Sequence, residues 1–329
     1  MTSRPTRSSS ALLALPLALV LGGCAGAPEA DQKEAGGDAY PVEATSCGYT
    51  SSIAAPPERA VTMNQGATEV MLALGLQDRM IGTGYLDDAV PEKWKAAYDA
   101  VDVLSEEYPD NETLLKADPD FVYGSYASAF GDDAAGPQAE LDDLGIGSFL
   151  SLFGCGENKP SADVSFDSVW DEIETVADVF DVPDRADALE ETQQSQLDEL
   201  EKTAPGKGFE VFWFDSGDKT AFAGAGEGGP QLILDAVGAT NLFADLEGGW
   251  ADISWEQVVK ADPDVIVLAD ASWSTADDKI ALLEKDPVLK NLRAVKAKAY
   301  VVLPFSETTP GVRLADGALA VGAQLADLR

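Results

Sequence analysis

The pentapeptide Lys116-Ala-Asp-Pro-Asp120 recurs without change as Lys260-Ala-Asp-Pro-Asp264. Each copy follows a short segment with helical character and precedes an apolar run, Phe121-Val-Tyr123 in the first case and Val265-Ile-Val-Leu268 in the second. The proline ends the helix, and the aspartate after it suits a turn. We interpret the repeat as a helix–turn–strand unit that is used once in each half of the chain.

Strand-like and helix-like segments alternate in both halves of the chain, on either side of a mostly helical middle. Between the two halves, apolar residues recur at helical spacing from Phe166, and a second helical run starts at Pro183 and reaches about Leu200. Alternating strands and helices favour parallel sheets covered by helices. The sequence therefore predicts an α/β protein with two lobes of mainly parallel sheet, joined by a long and mostly helical middle.

The charge and composition exclude several classes of function. The chain of 329 residues contains 58 Asp and Glu, 22 Lys and Arg and no His, which gives a net charge of −36. Such a surface repels nucleic acid, so we expect no nucleic-acid partner. Without histidine, a Ser-His-Asp triad and a His-ligated zinc site are impossible, and we predict no catalytic residue and no metal site. A secreted hydrolase with paired carboxylates and a structural envelope lipoprotein remain as alternatives.

The first residues have the pattern of an export signal. Arg4 and Arg7 precede an apolar run, Ala11–Leu21, which is shorter than the roughly 20 residues that span a bilayer. The run ends in Leu21-Gly-Gly-Cys24, which resembles a bacterial lipobox. This resemblance implies a signal peptide at residues 1–23, cleavage before Cys24, and lipidation of Cys24 that anchors the protein to the outer face of the membrane. We expect residues 24–57 to form a flexible tether.

Two cysteines remain once Cys24 is assigned to the lipid anchor. Cys47 and Cys155 would lie in an oxidising compartment, which favours a disulfide between them. Two unpaired thiols are the alternative.

Two glutamates complete a pattern that is similar to a known family. Glu112 and Glu256 each stand before six residues, a Pro-Asp pair and an apolar strand. This ordered set resembles the periplasmic binding proteins of iron-siderophore and cobalamin ABC importers, from about residue 58 to the end. The resemblance implies lobes at 58–165 and 206–329, a linking helical segment at 166–205 that forms a long rigid helix, and a ligand cleft between the lobes. It also implies that Glu112 and Glu256 dock onto the permease.

The same resemblance implies the partners and the class of ligand. The partners are an ABC permease with its ATPase and a small molecule such as an iron-siderophore or a corrinoid. We expect a monomer without a resident cofactor. The stretches Phe222–Thr240 and Gly248–Trp255 also look like an actinobacterial subgroup proposed to bind a deazaflavin cofactor precursor, which is a second interpretation of the ligand.

Candidate ligand contacts are polar and aromatic residues at predicted strand ends. Aromatic faces bind flat, conjugated ligands, and Arg313 is the best candidate for clamping an anion. Core packing is the alternative for each aromatic residue, and we assign Trp170 and Trp255 to the core. The candidates are Asn64, Gln65, Tyr85, Tyr126, Trp213, Trp250, Trp273, Phe305 and Arg313.

The run Gly224-Ala-Gly-Glu-Gly-Gly229 matches the dinucleotide-binding pattern G-x-G-x-x-G. We predict no dinucleotide site here, because such glycines follow directly on a strand within a βαβ unit, and the nearest predicted strand ends at Phe214. Instead we expect a loop whose amides line the cleft, before a helix that begins near Pro230.

Overall fold

A computed structural model describes residues 40–156 and 160–329. A hairpin precedes the first lobe, and two helices connect it to the second. The hairpin and the first lobe consist of β1 Val42–Ser46, β2 Tyr49–Ile53, β3 Ala60–Met63, α1 Gln65–Ala73, β4 Met80–Gly84, α2 Glu92–Tyr98, β5 Val103–Ser105, α3 Asn111–Ala117, β6 Phe121–Gly124, α4 Gln138–Asp143 and β7 Gly147–Leu150. The connection and the second lobe consist of α5 Phe166–Val179, α6 Pro183–Thr203, β8 Glu210–Ser216, β9 Ala221–Gly224, α7 Gly229–Val237, β10 Thr240–Asn241, β11 Trp250–Ile253, α8 Trp255–Ala261, β12 Val265–Asp270, α9 Ala276–Lys285, α10 Arg293–Ala297, β13 Tyr300–Pro304 and α11 Leu314–Asp327.

Each lobe is built on one sheet, which confirms the predicted α/β fold. The first sheet has the order β5-β4-β3-β6-β7, and all its strands are parallel. The second has the order β11-β9-β8-β12-β13, with β10 beside β8. Here β9 and β11 are antiparallel, so this sheet is mixed rather than mainly parallel throughout. The interior strands β6 and β12 are apolar runs because helices cover both faces of a parallel sheet.

The repeated pentapeptide forms the same turn in both lobes. Asp118 ends α3 and Asp262 ends α8, and both adopt the left-handed backbone conformation, with φ of 59° and 48°. Two residues later, Asp120 accepts hydrogen bonds from the backbone amides of Glu58 and Arg59 at 2.8 and 2.9 Å. Each copy thus ends a helix and ties the following strand to its neighbour.

An arginine reinforces each of these turns. Arg59 donates from Nε to the carbonyl oxygen of Asp118 at 2.6 Å. In the second lobe, Arg293 donates from Nε to the carbonyl of Asp262 at 3.0 Å and from Nη1 to Asp264 at 2.6 Å. The two arginines come from different places in the chain, so the lobes share the turn but not the source of its support.

Residues 42–53 correct the expected tether. They form an antiparallel hairpin, in which alternate residues of both strands are buried. Its turn is Cys47-Gly48, where φ is 51° and 79°, and positive φ at both positions is typical of tight hairpins. The expectation of a flexible segment up to residue 57 is therefore wrong for this stretch, since small polar residues alternate here with the buried Ala44 and Ile53.

A disulfide joins the hairpin to the first lobe. Cys47 in the hairpin turn is bonded to Cys155, which follows β7, and the two Cα atoms are 5.3 Å apart. The bond closes a loop of 108 residues. Chain-entropy models assign such a loop roughly 4–5 kcal/mol of stabilisation.

The connection between the lobes is two helices rather than one long helix. The first, α5, packs against α6 and β1, whereas α6 also packs against α7 and α11 of the second lobe. The break lies at Phe180–Val182, where Asp181 has φ of 58° and Pro183 begins α6. Proline is favoured in the first turn of a helix but interrupts a preceding one.

The predicted lipidation site at Cys24 and the predicted signal peptide lie outside the described residues. Within residues 40–156 and 160–329, no helix combines the length and hydrophobicity needed to cross a bilayer.

Candidate ligand-binding cleft

A cleft of about 1270 Å³ is lined by both lobes. The first lobe contributes the start of α1 and the loops that follow β4, β6 and β7, and α5 also reaches the cleft. The second lobe contributes the end of β8, the loops around β9 and β11, and the segments that follow β12 and β13. Most of these loops lie at the carboxyl ends of parallel strands, where open α/β sheets generally bind ligands.

Aromatic side chains from the second lobe form one wall of the cleft. Trp273 follows β12 and packs edge-on against Phe305, with ring centroids 5.0 Å apart. Trp273 is 57% exposed, so most of its ring is open to solvent or to a ligand. Trp250 and Phe222 line the same cleft, and Tyr126 contributes from the first lobe. Such a surface suits a flat or conjugated molecule.

Arg313 lines the cleft but is not free to clamp an anion. It is 4% exposed and lies 3.2 Å from Glu69 and 3.6 Å from Asp88, measured between Nη1 and the nearest carboxylate oxygens. Its Nη2 also donates to Glu307. The three carboxylates around its Nη atoms oppose the expected role as an anion clamp, although Nε has no hydrogen-bond partner among the described residues.

This arginine network joins the two lobes. Glu69 and Asp88 belong to the first lobe, whereas Ser306, Glu307 and Arg313 belong to the second. The backbone amide of Ser306 donates to Asp88 at 2.9 Å, and its hydroxyl donates to the same carboxylate at 3.0 Å. The network holds the lobes together at one side of the cleft.

Gln65 is the candidate residue that orients the network from the first lobe. Its Nε2 donates to Glu69 at 2.7 Å, and its Oε1 accepts from the backbone amide of Asp87 at 3.2 Å. Gln65 is buried and lines the cleft.

Burial changes the titration of the acids beside the cleft. Desolvation raises the pKa of Glu69 to about 7, although nearby Arg313 acts in the opposite direction. Desolvation and the neighbouring Asp88 raise the pKa of Asp87 to about 6. Burial disfavours the charged form of both carboxyls, so a positive charge placed beside either of them would stabilise that form.

Two further acids of the cleft wall are also buried. Glu172 of α5 is buried, and its carboxylate accepts from the Tyr123 hydroxyl at 2.6 Å and from the Ser151 hydroxyl at 2.8 Å. Asp215 ends the buried part of β8, and its Oδ1 has no hydrogen-bond partner among the described residues. Burial raises the pKa of both carboxyls.

Three candidates lie away from the cleft surface. Trp213 is 0% exposed and belongs to the core of the second sheet, which corrects its assignment as a ligand contact. Asn64 is buried and accepts a hydrogen bond from Tyr108 at 2.8 Å. Tyr85 packs edge-on against Tyr108. Trp213 lies within β8 rather than at its end, since the strand continues to Ser216, two residues beyond its predicted end at Phe214.

The glycine run follows β9 directly, which corrects the expected distance from a strand. However, β9 is antiparallel to β8, so the run does not belong to a βαβ unit. The amides of Ala225, Gly226 and Glu227 donate to backbone carbonyls of Leu246–Gly249, at 2.9–3.1 Å. The loop lines the cleft through Gly226–Gly228, as expected, but its first three amides are bonded to the backbone. A Cβ at Gly226 would lie 2.1 Å from the Ala244 carbonyl oxygen, which explains the glycine there.

Several acids of the cleft were not among the candidates from the sequence. Glu69, Asp87, Glu172 and Asp215 line the cleft but are four among 58 acids, so composition does not distinguish them. The available signals were local: Glu172 lies on the apolar face of α5, and Asp215 follows a buried aromatic strand.

Glu112 and Glu256 lie outside the cleft, at equivalent positions in the two lobes. Each is the second residue of its helix, α3 or α8, and each is exposed. Side-chain caps fix both helix starts, since Asp110 accepts from the Thr113 amide and Ser254 accepts from the Gln257 amide.

A sequence profile of the periplasmic binding protein family matches residues 61–307. The chain belongs to this family. Among the relatives of this periplasmic binding protein is an uncharacterised ABC transporter substrate-binding lipoprotein of Bacillus subtilis, YvrC, which is 27% identical over 310 residues and covers 91% of each chain. A vitamin B12-binding protein of Vibrio parahaemolyticus is 21% identical over 242 residues, which are 71% of this chain and 80% of the relative.

Solved structures support the same fold. A periplasmic binding protein from Veillonella parvula superimposes with a TM-score of 0.73 at 28% identity, covering 86% of this chain and 96% of the other. An ABC-type Fe3+-hydroxamate transport protein from Saccharomonospora viridis gives a TM-score of 0.72 at 23% identity, covering 87% and 99%. The second likeness concerns the fold alone.

Proposed function

We propose that this periplasmic binding protein is the receptor of an ABC importer, and that it captures an iron-siderophore, a corrinoid or a similar conjugated molecule and delivers it to the permease. The observation that carries the proposal is the aromatic-walled cleft between two lobes in a chain of this family. Its relatives include an ABC transporter substrate-binding lipoprotein and a vitamin B12-binding protein.

The size of the cleft supports a ligand larger than a typical metabolite. Pockets for drug-sized molecules measure roughly 300–1,000 Å³, whereas this cleft measures about 1270 Å³. A ferric siderophore or a corrinoid is a ligand of that size class. In the proposed complex, Trp250, Trp273 and Phe305 pack against the ligand, and Gln65 and Tyr126 contact it from the first lobe.

Delivery requires contacts with the permease on both lobes. We assign this role to Glu112 and Glu256, which are exposed and occupy the same position in helices of opposite lobes. Two tethered contacts raise the effective concentration of the second once the first has formed. The lipobox at Cys24 supports a receptor that is anchored to the outer face of the cell membrane. We expect it to act there as a monomer beside the permease and its ATPase.

Uptake by cells tests this function. Cells that lack the chain should lose accumulation of one labelled ligand from a set of ferric siderophores and cobalamin, and the intact gene should restore it. A variant with Trp250→Ala and Trp273→Ala should restore less uptake, because the aromatic wall is reduced. Unchanged accumulation of every ligand in the deletion strain would contradict the proposal.

A further inference from the structure

The described residues that line the cleft have a strong imbalance of charge. Six are acidic, and Arg313 is the single basic residue among them. The acids come from both lobes, and they are Glu69, Asp87, Asp163, Glu172, Asp215 and Glu227. A cleft with low-dielectric walls and one sign of charge concentrates ligands of the opposite sign.

Two groups that could hold an anion, Arg313 and the glycine run, are largely engaged within the protein. Arg313 contacts the carboxylates of Glu69, Asp88 and Glu307. The amides of Ala225–Glu227, which precede α7 in the glycine run, donate to backbone carbonyls instead of facing a ligand. An anionic ligand would therefore meet excess carboxylates, and the single cation among the described lining residues already pairs through both Nη atoms, which leaves only its buried Nε without a partner.

One carboxylate is both buried and incompletely paired. Asp215 is 9% exposed, lines the cleft, and has an Oδ1 atom with no hydrogen-bond partner among the described residues. The charge of Lys279 lowers the pKa of Asp215 against the effect of burial, but the Lys279 ammonium donates its hydrogen bonds to the carbonyls of Ala269 and Ser274. A buried carboxylate oxygen without a partner is costly, and a donor from the ligand would remove that cost.

Aromatic rings stand on the same side of the cleft as Asp215. Trp250, Trp273 and Phe305 belong to the second lobe and line the cleft together with it. Aromatic faces attract cations through the ring quadrupole, with an energy of about 0.5–2 kcal/mol according to desolvation. The carboxylate of Asp215 and the aromatic rings therefore both favour a positively charged ligand.

We propose that the cleft selects a ligand that carries a positive charge, such as a cationic metal chelate, with its positive group directed towards Asp215 and its apolar part against Trp250, Trp273 and Phe305. This inference rests on the proposed receptor function and specifies the charge of its ligand. It disfavours the deazaflavin precursor, because that ligand is anionic.

A matched pair of ligands isolates the charge. Ferrioxamine B is a ferric trihydroxamate with a free ammonium group, and its N-acetylated form keeps the chelate and loses the charge. Binding is measured by calorimetry with the chain from Ala25 onward, which retains the compact unit Gly36–Arg329. Neutral cobalamin, anionic haem and anionic ferric enterobactin complete the set. Ferrioxamine B should bind at least tenfold more tightly than each of the others.

Two variants test the position of the positive group. Asp215→Asn should weaken binding of ferrioxamine B about tenfold and leave the acetylated chelate within twofold. Asp245→Asn is the matched control, because Asp245 is an exposed aspartate of the same lobe that lies outside the cleft lining, and it should change neither affinity more than twofold. Melting temperatures of the variants show whether they fold, and the comparison of ligands on the unaltered chain needs neither variant.

The outcomes separate the two proposals. If a neutral or anionic probe binds as tightly as ferrioxamine B or more tightly, the receptor function stands and the charge selection is overturned. If no probe binds, both are overturned. Equal losses for the charged and acetylated chelates in Asp215→Asn would contradict the assigned position of the positive group.

Discussion

Arg313 illustrates how far a single residue's role depends on distant partners. Its position near the end of the chain and its chemistry favoured an anion clamp, yet its guanidinium contacts Glu69, which is 244 residues earlier. Nothing in the local sequence identifies such a partner, because the chain has 58 acids from which to choose. The role of Arg313 therefore follows only from the folded structure, in which it joins the lobes.

Replacing Arg313 with alanine should destabilise the protein. The change leaves Glu69, Asp88 and Glu307 close together without their cation, and breaking a buried pair in this way costs about 3–5 kcal/mol. Urea unfolding measures the loss. Lys95→Ala is the control, since Lys95 pairs with Asp99 on the surface and its removal should have little effect. A loss below about 1 kcal/mol for Arg313→Ala would contradict a network that stabilises the fold.

The pKa of Glu69 predicts a pH dependence of stability. Burial raises it from 4.5 to about 7, so the folded state binds a proton that the unfolded state releases. This contribution is complete below pH 4.5 and is lost as the pH rises through about 7. Asp87, with its pKa raised to about 6, acts in the same direction.

Thermal unfolding between pH 4.5 and 8 measures this contribution. In Glu69→Gln, the free energy of unfolding should fall less over this pH range than in the unaltered protein, by on the order of 3 kcal/mol. Glu92→Gln, at an exposed glutamate, should leave the slope of the unaltered protein unchanged. An identical slope in Glu69→Gln and the unaltered protein would show that Glu69 does not titrate in this way.

At the scale of elements, the repeated pentapeptide predicted two helix–turn–strand units correctly. The reason is physical: proline and a left-handed aspartate end the helix, and the second aspartate binds the amides of the neighbouring strand. The hairpin at residues 42–53 escaped prediction because its alternation involves small and polar residues such as Ser46 and Ser51, whose burial depends on the first lobe. Hydrophobic patterns reveal elements that form the core and miss those that only cover it.

If Glu112 and Glu256 dock onto the permease, changing them should impair transport without weakening ligand binding. Changing both to alanine should abolish most uptake and leave ligand affinity within twofold, because both side chains are exposed and neither lines the cleft. Uptake in cells and calorimetry on the purified protein measure the two effects.

Asp167 and Asp184 provide a matched control for that pair. Each is also an exposed acid at the second position of its helix, α5 or α6. Changing both to alanine removes the same charge near two helix N-termini, with the same small effect on helix stability, and should preserve uptake. Equal losses of uptake in the two double variants would argue for a general charge effect and against docking through Glu112 and Glu256.

At the scale of the whole molecule, the order of segments predicted two lobes and a helical connection, and the fold has both. The sequence pattern did not predict the antiparallel β9 and β11 or the break between α5 and α6. It also did not reveal the acidic lining of the cleft, because this surface brings together side chains from residue 69 to residue 227. A site between lobes depends on their arrangement, which no local pattern encodes.

Thermal unfolding of the chain from Ala25 onward, with and without ligands, tests the receptor function most directly. The panel contains ferric siderophores, corrinoids, haem and deazaflavin precursors. A ligand that binds only the folded state stabilises it by RT ln(1 + [L]/Kd), about 2.7 kcal/mol at a hundredfold excess over Kd. We predict a clear rise in melting temperature with one class, which would identify the cargo of the importer. No rise with any member of the panel would contradict the claim that this cleft binds a siderophore, corrinoid or similar conjugated ligand.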